Sequence, residues 1–295
     1  MEFFLQLVIN GLVIGSIYAL VALGFVIIYK STSVLNFAQG EFLMLGAYVC
    51  LSIVGQHRVP FLAALGLTMA FSAILGVALE RIILRPMIGE PVISVIMVTL
   101  GLSSVLKAVV QGIWGTDIRP FPAIFPANPV MVGPLPVSQG YLYSVASVAV
   151  MLVLFSVFFK YSRAGIAMRA TAFSQQVALS MGISVKRIFA LSWSIAAVVS
   201  AVGGVLLGSI RGGVDGALAF FGLKVIPVVI LGGLDSVLGA IVGGLVIGVL
   251  ENLSGGYLDP LLGGGVKEVA PFIFLVVILG LKPYGLFGKV KIERV

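Results

Sequence analysis

Cysteine and histidine are almost absent from this chain of 295 residues: it holds one of each, Cys50 and His57. An internal disulfide is excluded, and a protein metal cluster has almost no ligands to draw on. No Ser/His/Asp or Cys/His set is credible, since His57 falls in a stretch read as a loop. Charge is scarce as well, at 10% of residues against about 25% in an average soluble domain. No phosphate-binding loop GxxxxGK[ST] is present. The only Gly-Lys pair, Gly288-Lys289, is followed by Val290. The N-terminus MEFFLQLVINGLVIG has no basic start and no cleavage site, so it reads as a retained first helix rather than a signal peptide.

What remains is apolar: 60% hydrophobic residues and a mean hydropathy of +1.20. No soluble core hides that much apolar side chain, so the chain reads as an all-α, polytopic transmembrane bundle forming one domain, 1–295. Nine apolar segments can be drawn: 4–29, 36–54, 60–80, 91–114, 140–159, 188–210, 219–232, 236–252 and 266–281. The segments 219–232 and 236–252 are short for a span of about 20 residues. They read either as two crossings or as one broken, re-entrant pair, which gives about eight or nine membrane segments. The net charge of +7 sits mostly at segment ends and reports topology rather than nucleic-acid binding. Twelve basic residues, among them Lys30, Arg81, Arg85, the 160–187 loop and the tail Lys282, Lys289, Lys291 and Arg294, fall on one side. Arg58, Arg119 and Arg211 fall on the other. The N-terminus is therefore expected outside and the C-terminus inside. The stretch 115–139 carries six prolines and is expected as a helix-free extracytoplasmic loop.

Two kinds of polar stretch interrupt the apolar pattern. The first is Ser33 to Glu41, SVLNFAQGE. A helix beginning near Asn36 would aim unpaired backbone N–H groups and its positive end at Gln39 and Glu41. The second is Gly232-Gly233-Leu234-Asp235-Ser236. Gly40 to Val49 matches Gly233 to Val242 at five of ten positions, with Lys30 and Lys224 preceding. This hints at the repeated, broken helices of transporters. Asn36, Gln39, Glu41 and Asp235 are thus candidates for a translocation path; the alternative is that Glu41 and Asp235 only cap helices near the interface. Lys107 and Glu251 are further charges inside apolar segments, and such charges usually face a cavity or a partner. Pairs such as Gly11/Gly15 and Gly244/Gly248 predict close helix packing.

The loop Lys160 to Arg187 carries five basic residues and no acidic one. At helical spacing Ile166, Ala170, Phe173, Val177 and Met181 share one face, with Gly182 placed as a C-cap. The spacing predicts one short amphipathic helix, either a handle for a partner or a loop lying on lipid.

LNFAQGEFLMLGAY (35–48), RAGIAMRATAFSQQVALSMGISVKR (163–187) and GGLDSVLGAIVGGLVIGVLE (232–251) resemble the permeases of branched-chain amino acid ABC importers, H-type subunits in particular. The resemblance runs over nearly the whole chain. It implies a type II importer-like fold and an inner-membrane subunit without enzymatic activity. It also implies a second, M-type permease, two cytoplasmic ATPase subunits and a periplasmic binding protein. No cofactor is expected on this chain, ATP and Mg belonging to the ATPases. Arg163, Gly165, Arg169, Ala172 and Gly182 match the family's coupling segment, to which the apolar stripe adds Phe173. At Gln39 the family often carries a different polar residue. Importers of this kind also carry urea, short amides or carboxylic acids. A secondary transporter using Glu41, Asp235 or Lys107, or a channel, is the rival reading from another class.

Overall fold

A computed structural model describes residues 1–126, 128–133, 135–282 and 285–288. Eleven helices are described: α1 (Glu2–Thr32), α2 (Gln39–His57), α3 (Phe61–Leu79), α4 (Val92–Trp114), α5 (Gln139–Tyr161), α6 (Arg163–Phe173), α7 (Gln175–Ser180), α8 (Val185–Arg211), α9 (Phe220–Gly232), α10 (Val237–Leu262) and α11 (Val266–Leu281). Proline sets two of the starts. Pro60 and Pro91 stand at the N-caps of α3 and α4, where a missing N–H costs nothing. α3 runs on through a π turn, Glu80–Leu84, and a 3-10 turn, Arg85–Met87. There Arg85 clasps the buried Glu80 carboxylate at 2.8 Å.

Among the described residues six helices are long and apolar enough to cross a bilayer: α1, α3 with its extension, α4, α5, α8 and α10. The nine apolar segments are therefore not nine equal crossings. α9 has 13 residues, a rise of about 20 Å, too short to span. α10 corrects the expectation of a short segment ending at 252. It continues to Leu262, with Pro260 confined to its last turn. Two of its polar residues are absorbed nearby: Asn252 donates to the Gly248 carbonyl at 2.9 Å, and Asp259 accepts from the Val266 N–H at 2.7 Å, at the start of α11.

Burial sorts the helices into a centre and a rim. The apolar window of α1 is 89% buried and that of α8 72%, against 17–22% for α3, α4 and α5. The rim leaves Ile74, Ile93, Val153 and Val276 exposed. Isolated in water such faces would aggregate; against acyl chains they are matched. α1 and α10 run antiparallel along their glycines. A Cβ on Gly15 would lie 2.6 Å from the Gly244 carbonyl oxygen, and one on Gly11 2.6 Å from Val249 Cα. The small-residue pairs read from the sequence thus form a helix interface inside this chain.

The ends of the bundle differ. At one end Gln175 reaches the Ser31 carbonyl at 3.3 Å, and Thr32, Glu80, Met87 and Gln175 line one cavity. This basic end also holds Lys30, Arg81, Arg85, α6 and α7. At the opposite end, β1 (Arg119–Pro120) pairs antiparallel with β4 (Gly213–Val214), and β2 (Val130–Val132) with β3 (Leu135–Val137). The stretch 115–138 is helix-free among its described residues, as its prolines require, and α5 begins at Gln139, the last residue of the expected loop. Lys289, Lys291 and Arg294 lie outside the described residues.

Candidate functional site

Two helices are broken within the bundle, and their breaks meet. α1 ends at Thr32, where Ser33 turns left-handed at φ 59°. Residues 33–38 then climb back into the bundle, and α2 starts at Gln39. α8 ends at Arg211 with Gly212 left-handed at φ 70°. Residues 213–215 and a 3-10 turn, Gly216–Ala219, lead to α9. The N-terminal ends of α2 and α9 abut: a Cβ on Gly40 would fall 3.1 Å from Gly222 Cα.

The buried polar residues at the first break are paired. Asn36 Oδ1 accepts from the Ala38 N–H at 3.0 Å, and Asn36 Nδ2 donates to Gln39 Oε1 at 3.0 Å. Gln39 Nε2 donates to Ser200 Oγ of α8 at 2.6 Å, and the Phe37 N–H reaches Thr99 Oγ1 of α4 at 3.4 Å. The Glu41 carboxylate accepts from Ser103 Oγ, one turn further along α4, at 2.7 Å. Asn36 and Gln39 are fully buried and Glu41 is 6% exposed. Backbone leaving a helix inside a bundle must be satisfied by side chains, which is what Asn36 does for the Ala38 N–H and Thr99 for the Phe37 N–H, while Gln39 ties the break to α8. The break is closed in this conformation.

Three of the four path candidates are therefore together, and Asp235 is not with them. It lies in the turn between α9 and α10, past the far end of α9, which is about 15 Å along that helix from Gly222. Ser236, not Asp235, caps α10, accepting from the Gly239 N–H at 2.9 Å. The Gly40–Gly233 repeat is not realised in space, since α2 starts mid-bundle and α10 at the basic end. The pair of breaks that does correspond is 33–38 with 212–219.

Beyond the second break lies a charged cluster that the sequence does not assemble. Lys224 Nζ of α9 bonds Glu251 Oε1 of α10 at 2.8 Å and Glu268 Oε2 of α11 at 2.7 Å. The Tyr18 hydroxyl of α1 donates to Glu251 Oε2 at 2.7 Å. Lys224 and Glu251 are buried, whereas the Glu268 side chain is 66% exposed. The cluster borders a cavity of about 450 Å³ that Arg211, Phe220, Phe221 and Lys267 also line. Its sequence signal was charge inside apolar segments; the pairing across three helices was not readable. Lys107 stands over the Phe220 ring at 4.9 Å.

The segment 163–187 is two helices rather than one. Ser174 is extended at φ −157°, and its hydroxyl accepts from the Val177 N–H, starting α7. A serine that caps locally takes the place of the continuing helix bond. Gly182 sits just past α7 with φ +79°, the left-handed position a glycine tolerates best. Gly165, Met168 and Thr171 face inward, while Ile166, Phe173, Val177 and Met181 are exposed, Phe173 at 91%. Ala172 is half-buried and Arg163 exposed. Arg169 does not project freely. It donates to the Phe159 carbonyl and, at 3.2 Å, to the Lys160 carbonyl, and stacks on Phe159. It braces α6 on the last turn of α5. Gly165 permits that contact, since a Cβ there would lie 2.6 Å from the Phe158 carbonyl oxygen.

A bundle of membrane-crossing helices with two internal breaks and a polar centre is the architecture of a membrane permease. Residues 7–281 match the family described as branched-chain amino acid transport system / permease component, and the chain belongs to that family. It is 32% identical, over 99% of its length and 98% of theirs, to the high-affinity branched-chain amino acid transport system permease proteins LivH of Escherichia coli K12 and BraD of Pseudomonas aeruginosa. A probable branched-chain amino acid transport permease protein LivH of Methanocaldococcus jannaschii is 28% identical over 96% of the chain and 92% of that protein. Among solved structures, PsaBC from Streptococcus pneumoniae in complex with Fab aligns over 94% of this chain and 91% of that one. The TM-score is 0.48 and the identity 14%.

Proposed function

We propose that this chain is one of two permease subunits of an ATP-driven importer for branched-chain and other hydrophobic amino acids. It sits in a bacterial inner membrane with α6 and α7 cytoplasmic and 115–139 outside. Its partners are an M-type permease, two ATPases that carry ATP and Mg, and a periplasmic binding protein that selects the cargo. ATP binding on the partners moves α6–α7, and the breaks at 33–38 and 212–219 are the places where the bundle gives way.

The observation that supports this reading most is the shape of α6–α7. Its inner face is fixed to α5 by Arg169 and Gly165, so a push is transmitted rather than absorbed. Its outer face presents Phe173, Val177 and Met181 to solvent. An exposed apolar stripe on a braced element fits a groove on a partner. Burying Phe173 would contribute about 1.5–3 kcal/mol to docking, and an exposed Arg163 pair about 0–1 kcal/mol. Phe173→Asp should abolish co-purification of the ATPases, or uncouple hydrolysis from leucine uptake, while the permease still inserts and folds. Unchanged association and coupled uptake in that variant would refute the coupling role. Uptake driven by ATP and receptor, and indifferent to a protonophore, separates the importer from a secondary transporter or channel.

A further inference from the structure

We propose that the cavity beside the α8–α9 break is a subsite for a free amino-acid zwitterion; the inference rests on the importer reading above. The cavity presents two opposite charges and an apolar wall, each held by a different device. Glu268 supplies the negative charge. One of its oxygens is on Lys224, and its side chain remains 66% exposed. Lys224 is fixed in turn by the buried Glu251, and Glu251 by the Tyr18 hydroxyl. This chain of bonds through α9, α10 and α1 holds Lys224 between two carboxylates and leaves Glu268, 66% exposed, as the acceptor for an ammonium group, while Lys267 adds a further cation to the lining.

Arg211 supplies the positive charge. It ends α8, stacks on the Phe221 ring at 5.4 Å and is 39% exposed. Its acidic neighbour Asp215 is 3.9 Å away, beyond hydrogen-bond reach, and Asp215 Oδ1 has no hydrogen-bond partner. The guanidinium fork is therefore open to a ligand carboxylate, which it can hold with two parallel bonds. Ile14, Leu207, Phe220 and Phe221 complete the wall, suited to an aliphatic side chain. A simple cation would leave Arg211 and Lys267 unused, and a simple anion would leave the exposed Glu268 carboxylate unused. A small molecule carrying both groups satisfies both.

The test is binding of tritiated L-leucine to the purified full chain in detergent, without ATPases or receptor. Saturable binding at millimolar concentration is expected. Isopentylamine, which lacks the carboxylate, and isocaproate, which lacks the amine, should each compete about tenfold or more less well than leucine. Glu268→Gln and Arg211→Gln should each weaken binding by about the same factor, with unchanged size-exclusion elution, while Phe173→Asp leaves it intact. Absence of saturable binding, equal competition by isopentylamine, or unaltered binding in both variants would overturn the subsite. Proteoliposomes holding the complete importer separate the two claims. ATP-driven leucine uptake with the same KM in wild type and Glu268→Gln would leave the importer reading standing and remove the subsite. Leucine binding to the permease without any ATP-driven uptake would keep the subsite and remove the importer reading.

Discussion

The two helix breaks solve the same problem in opposite ways. At and just after 33–38 the buried polar side chains are spent on closing the gap: Asn36 caps, Gln39 bridges to Ser200, and Glu41 takes the Ser103 hydroxyl. At 212–219 the backbone is tied to the 119–120 strand, but the neighbouring charges are loose. Arg211 and Asp215 stand 3.9 Å apart, and Glu268 faces a cavity. The first break is tied by hydrogen bonds to α4 and α8, with only a small cavity beside Thr32 and Val34, whereas the second lies next to the larger cavity of about 450 Å³.

Lys224→Met should break the comparison most severely. It strips the cation from Glu251, leaving a buried carboxylate with only the Tyr18 hydroxyl, at a cost of about 3–5 kcal/mol. Thermal unfolding in detergent measures this, and adding Glu251→Met should recover most of the loss. A single variant as stable as wild type would mean that the cluster does not hold α9, α10 and α11 together. Gln39→Leu comes next. It orphans Asn36 Nδ2 and the Ser200 hydroxyl, for about 1–3 kcal/mol. A cysteine placed at Ser200 should become more reactive to thiol reagents in that background; unchanged reactivity would show that Gln39 does not seal the break. The smallest effect on stability belongs to Glu41→Gln, because the new amide oxygen still accepts from Ser103; about 1 kcal/mol or less is expected. Uptake should slow while assembly with partners is retained, since charge at the break is lost. Normal uptake would reduce Glu41 to a helix-end residue.

How much of this was readable beforehand follows from the range of each interaction. The break at Ser33–Glu41 was legible because a membrane helix cannot carry two amides and a carboxylate in sequence without leaving a trace in the pattern. The glycine pairs were legible for the same reason: small residues at a four-residue spacing mark a close contact, although not with which helix. Asp235 was misplaced because local similarity to Gly40–Glu41 says nothing about depth in the bundle. The single helix over 163–187 became two because one hydroxyl, that of Ser174, satisfied an N–H group locally. Periodicity does not register such a choice.

The sequence by itself determined the class of protein. The hydropathy, the scarcity of charge, the basic bias of one end and the three family-like stretches all act along the chain, where spacing is visible. Only the tertiary structure decided which charges share a site. Tyr18, Lys224, Glu251 and Glu268 lie on four helices, and a pairing over a separation of up to 233 residues leaves no periodic mark. The cost of an unpaired charge in an apolar bundle announced that Glu251 must face a cavity or a partner, but the packing of α1 against α10 and of α9 against α11 chose Tyr18 and Lys224.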